Sequence, residues 1–317
     1  MVTDTINIGI SSCLLGNHVR YDGGHKLDRF IKGTLGRYVK FVPVCPEVEC
    51  GLPVPRESMH LLGDATATRL LTTRTKIDHT ERMRTWIGTR LNELAKEEFC
   101  GFIFKKGSPS CGMQRVKIYD EKGTLRGTGG GLFAQAFVER FPRIPVEEEG
   151  RLHDPELRER FIENVFALRR WRVSLEGGRR LARLMTFHSH EKLLLLAHSP
   201  NHYRLLGKLV GEGKGKDIER LYDEYERLFM EALRLKTTRV KNVNVLQHIL
   251  GHFKKELSGS EKQEMLEIIG QYRKGYVPLI VPITLVNHYV RKYDKTHLAE
   301  QTYLNPHPVA LQLRNNV

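Results

Sequence analysis

The chain has 317 residues, of which 40% are hydrophobic and 28% are charged, values that are ordinary for a globular protein and that exclude a disordered or fibrous chain. Its length predicts two domains, because a single hydrophobic core rarely serves more than about 250–300 residues. The net charge is +14 and most of the excess follows residue 150, which favours binding to nucleic acid or another polyanion. An ordinary basic surface is the equally weighted alternative.

The first 150 residues predict strands that alternate with helices. Strands are expected at 6–10, 39–44, 69–73, 101–104, 116–119 and 144–146, and helices at 26–38, 78–99 and 132–140. Asp78 is expected to cap the second of these helices. The alternation predicts an α/β domain with a largely parallel sheet, in which ligands bind beyond the carboxyl ends of the strands.

The second half of the sequence has a different pattern. The segment Glu-Glu-Glu-Gly at 147–150 marks a change of composition, and helices are expected at 155–174, 177–187, 189–197, 200–211, 215–236, 240–256, 260–273 and 282–293. This pattern predicts an all-α domain. We therefore expect an α/β domain at 1–150, a basic helical connector at 151–187 and a helical domain at 188–317.

Neither a leader nor a membrane helix is expected. Residues 1–4 lack a basic segment and an apolar core, and the apolar stretch at 276–290 is shorter than the roughly 20 residues that a membrane helix needs. We therefore expect a cytoplasmic protein with no membrane partner, in which thiols stay reduced.

Three of the five cysteines follow predicted strands. Cys13, Cys45 and Cys111 lie in turn-forming segments, and such strand ends can converge at one edge of a sheet. An odd number of converging cysteines fits a metal centre better than a disulfide. Three thiolates can hold three corners of a cubane iron–sulfur cluster and leave the fourth iron open. A zinc site built from the same cysteines is an alternative, as is simple burial.

The other two cysteines are weaker candidates. Cys100 ends a predicted helix before a core strand, and it is expected to be a small buried side chain. Cys50 lies five residues after Cys45 and is a candidate fourth ligand or redox partner, with a structural role as the alternative.

Residues 5–148 resemble the thiouracil desulfidase family. The resemblance rests on Ser-Ser-Cys-Leu-Leu-Gly at 11–16, Arg-Tyr-Asp-Gly at 20–23, Cys-Pro-Glu-Val at 45–48, Gly-Leu-Pro at 51–53 and Lys-Gly-Ser-Pro-Ser-Cys-Gly at 106–112. It implies a 4Fe–4S cluster held by Cys13, Cys45 and Cys111, whose free iron takes the sulfur of a thiolated substrate. It also implies that Glu47 and Ser108 are catalytic.

Those two residue types suit the implied chemistry. Replacing C=S by C=O requires a water to attack carbon, and a carboxylate such as Glu47 can accept its proton. A hydroxyl such as that of Ser108 can orient the substrate or relay the proton, with Ser110 as the competing serine. Structural roles in turns are the alternative for both Glu47 and Ser108.

Other residues of the first half are weaker candidates for the same site. The glycine-rich segment at 127–131 leads into a predicted helix, whose free N–H groups could hold an anion or a substrate oxygen. We expect it to be at most a wall of the pocket. Arg20, Asp22 and Arg56 could also face the site.

Residues from about 190 to 314 resemble the YbgA-like family, which implies no particular activity. The histidines His198, His248, His252 and His288 are candidates for one polar locus. His248 and His252 are spaced to share a helix face, an arrangement that can bind metal. Without an H-E-x-x-H pattern, ordinary hydrogen-bonded histidines are the favoured interpretation.

A basic patch spans residues 169–183. It combines Trp171 with the arginines Arg169, Arg170, Arg172, Arg179, Arg180 and Arg183. Arginines with an interleaved tryptophan can bind phosphates and stack on a base, so RNA or DNA binding is a hypothesis. The alternative is a solvated helix whose arginines pair with Glu163, Glu176 or the acidic segment at 147–149.

Together these patterns predict an enzyme, a 4Fe–4S-dependent desulfidase. It would remove sulfur from a thiolated pyrimidine or related thio-compound and release the oxo product and sulfide. Its expected partner is a thiolated small molecule or a thiolated nucleotide. The alternative is a nucleic-acid-binding protein with a structural or redox-sensing metal centre.

Overall fold

The computed structural model describes residues 6–64 and 68–315 and divides into two compact units, Met1–Phe161 and Ile162–Val317. The division lies inside the helix Pro155–Leu175, and the connector expected at 151–187 stays a prediction. The leader prediction at 1–4 lies outside the described residues. Within those residues, no helix has the length and apolar character that crossing a membrane requires.

The first unit is an α/β unit, as predicted. Its strands are β1 (Asn7–Ser11), β2 (Lys40–Val44), β3 (Met59–Leu62), β4 (Arg69–Thr72), β5 (Gly101–Phe104), β6 (Val116–Tyr119), β7 (Leu125–Gly129) and β8 (Val146–Glu148). Its helices are α1 (Pro46–Glu49), α2 (Thr80–Leu94) and α3 (Leu132–Arg140).

Sheet A is a parallel sheet with the strand order β2-β1-β5-β8. The centre of this sheet is packed by aromatic rings. Phe102 on β5 stacks on Phe104 with ring centroids 4.2 Å apart, and α3 adds Phe133 and Phe137 to the same cluster. Gly9 on β1 permits this packing, because a Cβ there would lie 2.2 Å from the Phe102 ring. The packing fixes β1 beside β5.

Sheet B has the order β4-β3-β6-β7 and mixes parallel and antiparallel pairs. Two of its strands, β3 and β7, were not expected from the sequence. Strand β7 has glycine at 127 and 129 and is mostly exposed, so it lacks the apolar alternation by which strands are recognised. Strand β7 therefore forms because it pairs with β6, and not because its own residues favour a strand.

The helices of the first unit differ from prediction in detail. The helix expected at 26–38 is replaced by two short turns, Phe30–Thr34 and Leu35–Arg37, in a stretch weakened by two glycines. Helix α2 is confirmed with the shorter bounds Thr80–Leu94. Its N-cap is His79 and not the expected Asp78, whose carboxylate accepts a hydrogen bond of 2.8 Å from the Thr80 N–H. The predicted last strand begins two residues later than expected.

The second unit is all-helical, as predicted. Its helices are α4 (Pro155–Leu175, which begins in the first unit), α5 (Leu181–His198), α6 (Pro200–Gly211), α7 (Ile218–Arg234), α8 (Arg239–Gly251), α9 (Gly259–Lys274), α10 (Ile280–Lys292) and α11 (Thr296–Ala299). The helices expected at 177–187 and 189–197 form the single helix α5, because no Gly or Pro interrupts residues 181–198. Ser199 then caps α6 by accepting from the His202 N–H.

Candidate metal centre

The carboxyl ends of β2, β1 and β5, which are neighbours in sheet A, bring three cysteines to one edge. Cys45 directly follows β2, Cys13 lies in the turn Ser12–Leu15 after β1, and Cys111 lies in the loop after β5. All three line one cavity of about 340 Å³. The structure therefore brings together the three cysteines that the sequence singled out.

These thiols are poorly solvated. Burial raises the pKa of Cys13 to about 11 and that of Cys111 well above its usual range, and the nearby Cys45 adds to both shifts. The positive charges of Lys105 and Arg20 lower the pKa of Cys13 and so offset part of this rise. Without a metal the thiols are therefore neutral at pH 7, and a bound metal centre would favour their thiolate forms and release protons.

The loop that carries Cys111 is tightly folded. The hydroxyl of Ser108 accepts hydrogen bonds from the N–H groups of Ser110 (3.3 Å) and Cys111 (3.2 Å). At its outer side the Phe133 N–H of α3 donates to the Ser110 carbonyl at 3.0 Å. Gly131 permits this contact, since a Cβ there would lie 2.6 Å from the Ser110 carbonyl carbon.

This packing changes the role expected for the glycine-rich segment at 127–131. The N–H groups of Leu132 and Phe133, at the start of α3, donate to the carbonyls of Pro109 and Ser110. They are therefore satisfied by the loop itself, and the glycines allow the loop to approach the helix. The segment supports the cysteine loop instead of offering N–H groups to an anion.

Glu47 lies on α1, two residues after Cys45, and its carboxylate joins the two candidate serines. Its Oε1 accepts from the Ser110 hydroxyl at 2.8 Å and from the Ser108 hydroxyl at 3.5 Å. The two hydroxyls lie 2.9 Å apart, and Ser110 Oγ is 3.8 Å from the Sγ of Cys111. The structure thus favours Ser110 over Ser108 as the direct partner of Glu47.

Arg56 is a part of the site that the sequence indicated only weakly. Its guanidinium donates to Glu47 Oε2 through Nε (2.9 Å) and Nη2, and its Nη2 also donates to the Val19 carbonyl at 3.0 Å. Its backbone N–H donates to the Tyr21 carbonyl at 2.8 Å. Arg56 therefore ties the loop near Tyr21 to α1. The sequence separation of Glu47 and Arg56 does not by itself predict that they form an ion pair.

The two remaining cysteines lie apart from the lining of the cavity. Cys100 is 1% exposed, as expected for a small buried side chain. Cys50 lies on the far side of Glu47, where its thiol donates to the Glu47 carbonyl at 3.2 Å. Neither is among the described residues that line the cavity.

Among the described residues, the metal-binding side chains that line the cavity are the three cysteine thiols and Glu47. Within residues 6–64 and 68–315, no three His, Cys, Asp or Glu side chains lie close enough to hold one metal ion. Thiolates on one zinc ion lie about 3.8 Å apart, because zinc–sulfur bonds are about 2.3 Å long. A cubane cluster would take its cysteines on separate irons, so Cys13, Cys45 and Cys111 would hold three of them and leave one iron open.

Comparison with known proteins places both halves of the chain. A family model described as 2-thiouracil desulfurase matches residues 8–149, and one described as a protein of unknown function (DUF1722) matches residues 192–308. The uncharacterized protein YbgA of Escherichia coli K12 is 30% identical over 153 residues, which cover 48% of this chain and 90% of YbgA. The chain belongs to the 2-thiouracil desulfurase and YbgA families.

Two further relatives match the chain over a similar length. The uncharacterized protein YbbK of Bacillus subtilis 168 is 30% identical over 148 residues, covering 44% of this chain and 95% of YbbK. A solved structure of a [4Fe-4S]-dependent thiouracil desulfidase, TudS, is 30% identical with a TM-score of 0.38, covering 47% of this chain and 95% of TudS. The family resemblances stated from the motifs are confirmed by the family models.

The histidines of the YbgA-like half have different surroundings. His198 is buried, with its Nδ1 2.8 Å from the Leu235 carbonyl oxygen and its Nε2 2.7 Å from a carboxylate oxygen of Glu163. Arg314 donates to the same carboxylate at 3.0 Å. His252 instead contacts an exposed neighbour, with its Nδ1 3.3 Å from the Nε2 of His297. His198 therefore stabilises the helical core through an ionic network.

Acidification is expected to destabilise the YbgA-like unit. Burial, followed by the charge of Arg314, lowers the pKa of His307 from 6.5 to about 4. The unfolded chain therefore binds the proton first, and stability is lost as the pH falls from about 6.5 to about 4. His307 alone contributes a loss of up to about 3 kcal/mol over that window. Urea unfolding at pH 7 and pH 5 measures the part of this loss that occurs above pH 5, about 2 kcal/mol.

The measurement needs a probe of the second unit alone. The chain has two tryptophans, so in a Trp86→Phe background the fluorescence of Trp171 reports that unit. The variant His307→Gln should reduce the pH dependence, leaving the part due to the buried His188, and His25→Gln, at an exposed position of the first unit, should leave it unchanged. Equal pH slopes for His307→Gln and the parent would contradict the assignment.

The predicted role of Trp171 in a nucleic-acid patch is wrong. Trp171 is 1% exposed and packs against Tyr225 and Phe187, with ring centroids 5.3 and 5.1 Å away, so it has no face to offer a base. Arg170 pairs with Glu191 at 2.6 Å, and Arg179 pairs with Glu219. Of the pairs that the alternative expected, Arg169 with Glu176 is present at 3.5 Å, whereas Arg170 and Arg179 pair with glutamates that it did not name.

Proposed function

We propose that the first unit is a desulfidase that uses a 4Fe–4S cluster to replace the sulfur of a thiolated pyrimidine, or of a related thio-compound, by oxygen. The observation that carries the proposal is the convergence of Cys13, Cys45 and Cys111 on one cavity together with the Glu47 carboxylate. The match of residues 8–149 to the 2-thiouracil desulfurase family supports it.

The reaction consumes one water and needs no net transfer of electrons. The water oxygen forms the new bond to carbon, the C–S bond breaks, and both water protons leave with the sulfur as hydrogen sulfide. A cluster held by three cysteines supplies an open, thiophilic iron when bound. The residues of the chain must then position the substrate and move the protons.

Glu47 is placed for the proton transfers. One of its oxygens is held by Arg56, so the other keeps a fixed orientation toward the serines and the cavity. That oxygen can take a proton from the attacking water and return it to the leaving sulfur. The hydroxyls of Ser110 and Ser108 lie 2.9 Å apart in the cavity wall, so they can relay a proton between Glu47 and the cavity.

The charge of the cavity wall favours the same reaction. Arg20, Lys26, Lys105 and Lys106 line the cavity together with the three cysteines. Their positive charge offsets the negative charge that accumulates on three thiolates and on the departing sulfur. The site is therefore electrostatically suited to stabilise a sulfide leaving group.

The direct test is anaerobic reconstitution with iron and sulfide, followed by an absorption spectrum, an iron count and the addition of 2-thiouracil. We expect a brown protein with about four irons per chain that releases uracil and sulfide in equal amounts. A colourless protein that holds zinc would contradict the cluster.

Substrate class is resolved in the same assay by adding thiolated nucleotides and thiolated RNA as separate reactions. Sulfide from any of them supports a desulfidase and identifies its class of substrate. A brown protein that releases no sulfide from the base, the nucleotide or the RNA would contradict the activity. Salt-sensitive RNA binding by such a protein would then favour the structural or redox-sensing centre.

A further inference from the structure

The acidic segment at 147–149, expected from its composition to be a domain boundary, is built into sheet A. Glu147 is 7% exposed and Glu148 is 4% exposed, and both belong to β8, the last strand of the sheet. The side chain of Glu149 is 12% exposed. Buried carboxylates are costly unless they are bound, so their partners indicate what they do.

Glu149 binds the first end of the loop that carries Cys111. Its Oε1 pairs with the Lys105 ammonium, and its Oε2 accepts from the Lys106 N–H at 2.6 Å. These residues directly follow β5. The ammonium of Lys105 is itself 18% exposed, so the pair is shielded from water and stronger than a surface ion pair.

Glu148 binds the other end of the same loop. Its Oε1 accepts from the N–H groups of Met113 at 2.9 Å and Gln114 at 3.4 Å. Among the described residues no cation pairs with this buried carboxylate. Its partners are the backbone N–H groups of Met113 and Gln114, which lie two and three residues beyond Cys111.

We propose that Glu148 and Glu149 are positioning residues that clamp both ends of the loop 105–114. The inference rests on the proposed function, because that loop supplies Cys111 and the serines of the site. A loop fixed at both ends loses its conformational freedom when the chain folds, so cluster binding does not have to order it. The clamp thereby sets the position of Cys111 before the cluster binds.

The test uses the metal-free chain and needs no activity. Cys111 is 5% exposed, so its alkylation by iodoacetamide, followed by peptide mass spectrometry, reports opening of the loop. Glu148→Ala and Glu149→Ala should each raise the alkylation rate of Cys111 at least about tenfold. Glu148→Gln keeps an oxygen that can accept from Met113, so it should restore a rate near that of the parent chain.

The chain offers two matched controls. Glu147→Ala removes a buried carboxylate from the same strand, but its partners are Arg151 and the Glu148 N–H, and it should leave Cys111 protected. Cys100, 1% exposed in the core, should stay unlabelled in every variant. If Glu148→Ala also exposes Cys100, the variant has unfolded, and the comparison passes to Glu149→Ala.

After reconstitution, the same variants should hold less iron and show a weakened visible circular dichroism of the cluster, with Glu148→Gln again near the parent. Protection of Cys111 in a folded Glu149→Ala chain, or in a folded Glu148→Ala chain, would overturn the clamp. A parent chain that takes up no cluster would overturn the proposed function instead. The alkylation rates would still test the clamp, because they are measured on the metal-free chain.

Discussion

Replacing Cys13, Cys45 or Cys111 by alanine is expected to reduce the iron content from about four per chain to near zero and to abolish sulfide release. The three thiols enter one cavity from three neighbouring strands, so each would hold a different corner of the cluster. Loss of one corner leaves two protein ligands and a second open iron. Anaerobic reconstitution followed by iron and sulfide assays measures the loss.

The other two cysteines provide the controls for this prediction. Cys100→Ala changes a buried thiol of the same unit, and Cys50→Ala changes a half-buried thiol that lies beside the Glu47 carbonyl. Both variants should retain the full iron content. Loss of iron in Cys50→Ala would indicate a closed site with four cysteine ligands, and full iron in Cys13→Ala would remove that residue from the ligand set.

Glu47→Gln is expected to lower kcat at least about 100-fold while the iron content and the visible spectrum stay unchanged. The amide keeps the shape of the carboxylate but accepts no proton at neutral pH, and removal of a general base commonly costs 10²–10⁴-fold. Single-turnover sulfide release from the reconstituted variant measures the effect. Turnover near that of the parent would assign Glu47 a role in folding alone.

The serines refine the same prediction. Ser110→Ala should lower kcat more than Ser108→Ala, because the Glu47 carboxylate is 2.8 Å from the Ser110 hydroxyl and 3.5 Å from that of Ser108. The family resemblance favours the opposite order, since it assigns the catalytic role to Ser108. Measuring both variants at equal iron content decides between the two, and a larger loss in Ser108→Ala would assign the relay to that serine.

The cysteines of the site could be predicted because each of them follows the end of a strand. Cys13, Cys45 and Cys111 each follow a short apolar run, and parallel strands necessarily place their carboxyl ends at one edge. The three cysteines were identified because local sequence and sheet topology agree. Glu47 was named by the family resemblance, and its position two residues after Cys45 places it at the same edge.

The rest depends on contacts between distant segments. Arg56 reaches Glu47 through an irregular turn, and Glu148 reaches Met113 across the sheet, so no spacing in the sequence indicates either contact. The acidic composition at 147–149 indicated a domain boundary, and a run of glutamates is usually exposed. Composition therefore gives no indication that Glu147 and Glu148 are buried in β8.

The second unit shows the same limit. Trp171 was expected on a basic surface because arginines surround it in the sequence, but its helix is two-sided. The tryptophan packs against Tyr225 in the core, whereas its neighbour Arg170 is partly exposed and pairs with Glu191, and Arg179 lies beyond the end of the helix and pairs with Glu219. Net charge and composition do not show which side chains of this segment are buried and which are exposed. The packing of the helices decides it.

The strand order of sheet A has a consequence for the timing of synthesis. Cys13, Cys45 and Cys111 leave the ribosome one after another, but β8, whose glutamates hold the loop of Cys111, follows all three in the chain. The cavity is therefore complete only when residue 149 has emerged. A cluster of the proposed kind would therefore meet a complete site only after residue 149 has emerged, during or after the synthesis of the second unit.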